Sequence, residues 1–346
     1  MKTRNSNLEM LRILCMLMII SHHYSVHGFA SFGLTYGTNR HLVDILSMGG
    51  KLGVNIFVLI SGYFVIKTEI SIYKIISIIV QTWFYSIGIL VLFLTVLSTE
   101  KTIEGIDIKK SIMPLSYQTY WFVTCYVILM ILTPYINILV NNISKKMHCK
   151  LIVIFLCMWS VIPSIFRENL LMYSELGWFV LLYFIATYIR KYVDNDKINL
   201  KKHIGITILS GVLLVVSVVM LDCIGRTYMI EELSVMRRWY SSMNSVIVIV
   251  LSIELFLVFL AMKEKSNRFV NTIASATFGV YLIHDNFLLR PYIWDVIFKN
   301  KEMYSSQYLI VHAICTISII FVVCLIIDLI RQLLVKLFIK FIRRLK

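Results

Sequence analysis

Two ionisable side chains lie at different depths on the first apolar segment, Leu11 to Tyr24, which reads LRILCMLMIISHHY. Arg12 and His23 are eleven positions apart, so on an α-helix they point in nearly the same direction with a rise of about 16 Å between them. Titratable groups inside a membrane span are costly and usually face a cavity or a partner. An imidazole can accept a proton near neutral pH, so this face predicts a polar site capable of base catalysis.

Each of these residues also has a simpler interpretation. His23 could be hydrogen-bonded between helices without any chemistry, although the presence of Arg12 on the same face favours a site. Glu9, three residues before Arg12, could form a local i,i+3 ion pair with it. His22 is turned by about 100° from His23 on a helix, so we do not expect both imidazoles to serve one site, and the spacing favours His23.

Three further ionisable residues lie in later apolar segments. Glu254 is in the middle of the eighth segment and is expected to be protonated or paired with a cation such as Arg12. His284, near the outer end of the ninth, is either an interfacial histidine or a member of the site. Asp328 is predicted to be a surface residue. Ser61 lacks the glycines of a nucleophile elbow, so direct transfer assisted by a histidine base is favoured over a covalent acyl-enzyme.

The composition excludes a soluble globular protein. Of the 346 residues, 59% are hydrophobic and 15% are charged, whereas soluble domains have about 25% charged residues. We predict an all-α, polytopic integral membrane protein in which 1–346 form a single transmembrane domain. The first apolar run lacks a small-residue cleavage site, so we expect it to be retained as a span. About ten spans are predicted from length and from breaks at charged loops, at 8–28, 46–66, 74–98, 119–141, 147–166, 174–191, 203–224, 243–262, 268–288 and 307–330.

The basic residues indicate the orientation of these spans. With the N-terminus inside, 21 of the 34 Lys and Arg residues fall on the cytoplasmic side and 12 on the outer side. This bias predicts that both termini are cytoplasmic. The net charge of +15 is therefore attributed to orientation in the lipid bilayer, and no nucleic acid partner is expected. The basic tail at about 331–346 is interpreted as an amphipathic helix on the inner leaflet or as the end of the last span, and we favour the former.

Neither the cysteines nor the outer loops indicate a cofactor. The seven cysteines show no CxxC or Cys/His spacing, so we expect neither a metal site nor a disulfide framework. The outer loops carry Tyr, Trp and Arg, including RRWY at Arg237 to Tyr240. Such residues are typical of an aromatic belt with solvated charge, which we favour for any single residue, but they could also form a rim that binds sugar.

Several blocks along the chain together resemble the acyltransferase-3 family of membrane acyltransferases. The first is Arg12 followed after ten residues by His23. The others follow in the family's order and span nearly the whole chain. They are GVNIFVLISGYF at Gly53 to Phe64, YWFVTCYVILMILTPYIN at Tyr120 to Asn137, YFIATYIRKY at Tyr183 to Tyr192 and ATFGVYLIHDN at Ala276 to Asn286.

The resemblance implies about ten spans and transfer of an acyl group, usually acetyl, from cytoplasmic acetyl-CoA as a co-substrate, with no bound cofactor. The acceptor it implies is a hydroxyl of a cell-surface or capsular polysaccharide, or of its lipid-linked precursor, at a bacterial inner or plasma membrane. Carried onto this chain, His23 would be the catalytic base and Arg12 would bind the donor. Possible supporting or acceptor-side residues are Asn55, Trp121, Glu254 and His284.

The chain departs from the family pattern in two places. Asn55 stands where an Asp is often found, and only Lys67 and Lys74 lie near the position of the family's paired arginines after the second helix. The extra extracytoplasmic domain of some members is not expected. The alternative functions are an exporter of polysaccharide or lipid-linked sugar without transferase activity, and an inactive sensor or assembly partner. Against the exporter are the lack of an internal repeat and the small number of helix-breaking residues.

Overall fold

The computed structural model describes residues 5–30, 32–66, 71–166 and 173–345, and within these ranges the secondary structure is helical without a β-strand. The basic residues Lys2, Arg4, Lys67, Arg167 and Lys346, used above to assign orientation, lie outside the described residues. The helices are α1 Ser6–Val26, α2 Thr38–Ser47, α3 Gly49–Val65, α4 Ile72–Thr95, α5 Gly105–Ile112, α6 Trp121–Asn142, α7 Lys145–Leu156, α8 Ile162–Ile165, α9 Glu175–Tyr192, α10 Leu200–Thr227, α11 Glu231–Val235, α12 Val246–Ala261, α13 Arg268–His284, α14 Leu289–Pro291, α15 Asn300–Met303 and α16 Leu309–Leu345. Short segments of 3₁₀- or π-helix lie at Cys157–Val161, Asn195–Lys197, Met236–Ser241 and Tyr292–Ile297.

Polar residues at the helix starts explain several of these boundaries. A side-chain oxygen just before a helix can accept hydrogen bonds from the first free backbone N–H groups. Asn5 does so at α1, Ser71 at α4, Ser144 at α7, Ser174 at α9 and Asn199 at α10. The helices therefore begin where the apolar runs meet short polar loops, as the sequence indicated.

Seven helical stretches within the described ranges are long and apolar enough to cross a membrane. They are Thr38–Val65, Ile72–Thr95, Trp121–Asn142, Lys145–Ile165, Leu200–Thr227, Glu231–Ala261 and Leu309–Arg344. The other three predicted spans, at 8–28, 174–191 and 268–288, correspond to the helices α1, α9 and α13. The chain is thus an all-α, multi-pass membrane protein, while the count of ten and the cytoplasmic termini stay predictions.

The three less apolar helices lie at the centre of the molecule. α1 packs on α3 and α13, and α9 packs on α3 and α6. α9 is buried along nearly its whole length, from Trp178 to Ile189. Only 17% of the most apolar part of α10 is buried, so its apolar side chains are left to face lipid. A helix surrounded by protein does not need lipid-compatible residues on every side, which explains why α1 and α13 can carry the polar groups of the site.

Glycines allow α1 and α3 to approach closely. A Cβ added to Gly49, Gly50 or Gly53 would overlap Met18, His22 or the carbonyl oxygen of Cys15 on α1, respectively. Small residues at such positions let two helix backbones pack tightly in a membrane. The glycines that made the start of the second predicted span irregular in the sequence are therefore its contact surface with the first helix.

The basic tail continues the last helix. α16 has 37 residues without a break, from Leu309 to Leu345, which corresponds to a length of about 55 Å. A bilayer core is about 30 Å thick, so this helix is longer than a perpendicular span needs. The position of residues 331–345 relative to the membrane surface stays a prediction.

Candidate active site

One cavity of 520 Å³ follows the polar face of the first helix. From α1 and the residue after it, it is lined by Arg12, Met16, Ile19, His22, His23, Val26 and His27, and its other walls come from α3, α4, α6, α13 and the segment from Asp285 to Arg290. Arg12 and His23 therefore face the same space at different depths, as their spacing predicted. Arg12 also forms the local pair expected with Glu9, but the contact is long, with Nη1 3.5 Å from Glu9 Oε2. The pair leaves Arg12 on the cavity wall.

His23 is held by a second histidine from the other end of the sequence. Its Nδ1 lies 2.9 Å from Nε2 of His284, and Nδ1 of His284 lies 2.6 Å from the carbonyl oxygen of Val280. A carbonyl oxygen can only accept, so Nδ1 of His284 carries the proton and its Nε2 is the acceptor. Nδ1 of His23 must then donate to His284, which leaves Nε2 of a neutral His23 with a lone pair. This is the tautomer that a general base requires.

A buried carboxylate with its own counterion lies beside this pair. Asp285 Oδ1 is 3.6 Å from Nδ1 of His23, 3.6 Å from Nε2 of His27 and 3.4 Å from Nε of Arg290. Arg290 Nη1 is also 3.2 Å from Nε2 of His27. Asp285 Oδ1 makes no hydrogen bond to a described residue, so charged and imidazole groups at 3.4–3.6 Å are the recorded contacts of this oxygen.

The same three residues have the composition of a small cation site. The nearest ligand atoms of His23, His27 and Asp285 lie within 4.8 Å of one another, the one such group found among the described residues. However, the guanidinium of Arg290 already supplies a positive charge at the carboxylate and contacts His27. The arrangement is therefore electrostatically complete with Arg290 as the cation.

Lys51 and Trp121 form a part of the cavity wall outside α1. Both line the cavity, and Lys51 Nζ lies 4.6 Å from the centre of the Trp121 ring, within cation–π distance. Trp121 was predicted as a supporting residue and the structure places it on the cavity. Lys51 was not predicted, since in the sequence it marks only an interruption of an apolar segment.

His22 also lines the cavity, while the expectation that only His23 serves the site stays a prediction. The ring centre of His22 is 5.6 Å from that of His23. Nδ1 of His22 is 2.5 Å from the carbonyl oxygen of Ser47 and must donate to it. The two imidazoles differ in their partners, because His23 is bonded to another imidazole beside a carboxylate and His22 to a backbone carbonyl.

Two predicted supporting residues are not brought to the cavity. Asn55 is fully buried, donates to the carbonyl oxygen of Met243 at 2.9 Å and accepts from Trp178 Nε1 at 2.9 Å. Glu254 pairs with His203 and not with Arg12. Both residues connect helices elsewhere in the bundle. The sequence could not show this, because the partner of a polar residue in another helix depends on the tertiary fold and not on the segment that carries the residue.

The expectation for Asp328 is wrong. It was predicted to be a surface residue, but it is fully buried. It accepts hydrogen bonds from Tyr85 at 2.7 Å and Gln81 at 3.2 Å, and from Arg331 and Gln332, both at 2.7 Å. Its position near the inner end of a span suggested exposure, whereas the polar residues of α4 that cover it lie far away in the sequence.

The residues that sequence reasoning missed are His27, Asp285, Arg290 and Lys51. Two local signals could have found part of this set. His27 follows His23 by four residues and so shares its helix face, and Asp285 directly follows His284. Nothing in the sequence shows that Arg290, in a segment that looks like an outer loop, folds back onto Asp285.

A comparison with known families identifies the class of the protein. The family profile described as an acyltransferase domain matches residues 5–329, nearly the whole chain. Neither a curated protein nor a solved structure is significantly similar to the chain. The matched range includes every residue of the cavity described above. The chain therefore belongs to the acyltransferase-3 family and is a membrane acyltransferase.

Proposed function

We propose that this protein is an O-acetyltransferase of the cell membrane that moves an acetyl group from cytoplasmic acetyl-CoA to a hydroxyl of a surface or capsular polysaccharide, or of its lipid-linked precursor. The observation that carries the proposal is that one cavity is lined by both Arg12 and His23, whose imidazole is paired with that of His284. Donor and acceptor can meet in this cavity without either crossing the bilayer.

Arg12 suits the phosphate groups of the donor. A guanidinium keeps its charge and can offer two parallel N–H groups to phosphate. Arg12 and His23 share one face of α1 and are about 16 Å apart along it. A thin pantetheine arm that lies along this face would therefore bring its thioester towards His23. The orientation predicted from basic residues puts the Arg12 end at the cytoplasm, where acetyl-CoA is found.

The reaction needs one base and a place for the negative charge that develops. Nε2 of His23 takes the proton of the acceptor hydroxyl while the hydroxyl oxygen attacks the thioester carbonyl carbon. The tetrahedral intermediate then collapses, the C–S bond breaks, and the leaving thiolate receives the proton from Nε2. The acetyl ester and free CoA are the products, and His23 is neutral again.

The surroundings of His23 support the charged state that it passes through. When Nε2 is protonated, the imidazolium keeps its Nδ1–H bond to His284, and the carboxylate of Asp285 is 3.6 Å from Nδ1. Preorganised charges of this kind act strongly in a site that excludes water. Lys51, a cation on the cavity wall, is the side chain we assign to the developing oxyanion.

The test compares surface glycans by mass and proton NMR in cells that lack the gene and in cells that contain the wild-type protein, His23→Gln or His22→Gln at equal protein levels. We expect the acetyl signal to be lost without the gene and the transfer rate to fall about 1000-fold in His23→Gln. His22→Gln is the matched neighbour and should fall far less. Normal acetylation in His23→Gln contradicts the proposal, and so does a glycan that is unchanged by loss of the gene. Loss of the acetyl signal from a glycan that is still present is the result that an exporter without transferase activity would not give.

A further inference from the structure

A second cavity, of 390 Å³, adjoins the first at the end of α1 opposite to Arg12. Val26 lines both cavities, so this residue lies at the boundary between them. Val26 is three residues after His23, which is about one helical turn. Arg40, Arg237 and Arg238 also line the second cavity. A group bound there would be close to a reaction at His23.

The arginines lie between buried carboxylates and the cavity. Asp44 is fully buried and lies 2.5 Å from Nε of Arg237 and 2.6 Å from Nε of Arg238. Asp222 is also fully buried and lies 2.7 Å from Nη2 of Arg40. The arginine side chains are 14–32% exposed while both carboxylates are at 0%. The surface of the cavity is therefore positive although carboxylates lie beneath it.

The charges of this cluster do not cancel. Three guanidinium groups face two carboxylates, so the arginines and aspartates carry one net positive charge, and Nδ1 of His41 is also 3.6 Å from Asp222. The adjacent surface hollow, which shares Arg40, adds Arg226 and Glu231 and so no net charge. These arginine side chains are partly exposed, so water screens part of the excess charge, and an anion bound in the cavity would pair with it directly.

Part of the donor capacity of these arginines is also unused. Arg238 bonds to Asp44 through Nε alone, so its two terminal nitrogens have no hydrogen-bond acceptor among the described residues. Nε of Arg40 is buried and makes no hydrogen bond within the described part of the chain. Paired guanidinium nitrogens match the two oxygens of a carboxylate or of a phosphate.

We infer that this arginine cavity binds an anionic group of the acceptor glycan, either the carboxylate of an acidic sugar or a phosphate attached to a sugar. The inference rests on the proposed function for the identity of the molecule as an acceptor. It assigns to RRWY at Arg237 to Tyr240 a direct contact with substrate through the two arginines. A neutral glycan would leave the excess charge without a counterion and would bind more weakly.

Binding can be measured without any transfer. The full-length protein in phosphatidylcholine nanodiscs is titrated by calorimetry with methyl β-D-glucuronide, glucose 1-phosphate and the neutral methyl β-D-glucoside. We expect at least one anionic probe to bind about tenfold more tightly than the neutral probe, from charge-assisted hydrogen bonds. The glucuronide and the phosphate arms distinguish the two sources of negative charge. Equal affinity for all three probes overturns the inference.

Three variants identify the site of the preference. Arg238→Gln should reduce it to about twofold or less, and Arg238→Lys should retain part of it because the charge is kept. Arg226→Gln is the matched control, since this arginine stacks on Tyr36 outside the second cavity, and it should keep the full preference. If Arg226→Gln and Arg238→Gln have equal effects, or if Arg238→Gln weakens acetyl-CoA and not the anionic probe, the inference is overturned.

Transfer of labelled acetyl from acetyl-CoA to the same probes separates this inference from the proposed function. Transfer without a preference for the anionic probes contradicts the inference and supports the proposed function. A preference that depends on Arg238, with no transfer to any glycan, contradicts the proposed function and supports the anion site.

Discussion

Two buried carboxylates next to α13 have opposite environments. Asp328 accepts four hydrogen bonds, from Gln81, Tyr85, Arg331 and Gln332. Asp285 has its cationic and imidazole partners at 3.4–3.6 Å, and its Oδ1 accepts no hydrogen bond from the described residues.

This difference separates a carboxylate that stabilises the fold from one that supports the reaction. A buried carboxylate with a full set of donors joins helices and resists change. A carboxylate held mainly by charge beside a cavity can respond when a neighbouring group changes its protonation state. The comparison predicts that Asp285 affects the rate more than the stability and that Asp328 does the reverse.

Asp285→Asn should give the largest loss of rate in this comparison. Without the carboxylate, Arg290 is left as an uncompensated cation near the imidazolium that forms at His23, and we expect kcat to fall about 100-fold. The measurement is the acetyl transfer rate in purified membranes, with thermal unfolding recorded in parallel. Asp295→Asn, on the partly exposed pair with Lys301, is the control. A fall in melting temperature large enough to account for the loss of rate would show that Asp285, like Asp328, acts through the stability of the fold.

His284 tests the hydrogen bond to Nδ1 of His23. His284→Gln retains an oxygen that can accept this bond, and we expect about a tenfold loss in kcat; His284→Leu removes the acceptor and should cost about tenfold more. The readout is kcat for both variants at saturating acetyl-CoA. Equal rates in the two variants would show that the bond from His23 does not orient the base.

Arg12→Lys should weaken binding of the acetyl donor and have a smaller effect on the chemical step. Lysine keeps the charge but cannot offer two parallel donors, so we expect the KM for acetyl-CoA to rise about tenfold with a smaller change in kcat. Arg268→Lys, at the exposed start of α13, is the control. An unchanged KM in Arg12→Lys would remove Arg12 from the donor site.

Asp328→Asn should have the smallest effect on the rate of the folded protein. The amide presents a donor to groups that themselves donate, so we expect the free energy of unfolding to fall by about 2 kcal/mol. The folded fraction, measured by gel filtration in detergent after heating, should drop, while activity per folded molecule stays within about twofold. Asp196→Asn, on an exposed carboxylate, is the comparison variant. A selective loss of kcat in Asp328→Asn would break the distinction between the two carboxylates.

The sequence predicted the parts of the site that depend on one helix. The shared face of Arg12 and His23 follows from helical geometry, and the local pair of Glu9 and Arg12 follows from the i,i+3 spacing. The all-helical membrane fold follows from long apolar runs. These properties are local, so they can be read without knowing which helices are neighbours.

The remaining features depend on contacts between distant segments. The partner of Glu254 is His203, and the donors to Asp328 include Tyr85 from α4. Likewise, no pattern near Arg290 shows that it turns back to Asp285. The irregular glycines at the start of α3 were recognised as unusual, but their role as the contact surface with α1 requires the position of the facing helix.

The hydrogen bond between His23 and His284 joins residues 261 positions apart, which has a consequence for biosynthesis. At about 5–20 residues per second, a ribosome needs roughly 13–50 s to make the intervening chain. During that time the polar face of α1 is without its final partner. The glycine contact between α1 and α3 is available much earlier, because Gly49, Gly50 and Gly53 follow within the next thirty or so residues. The nascent chain can therefore shelter one side of its future active site long before the second histidine has been translated.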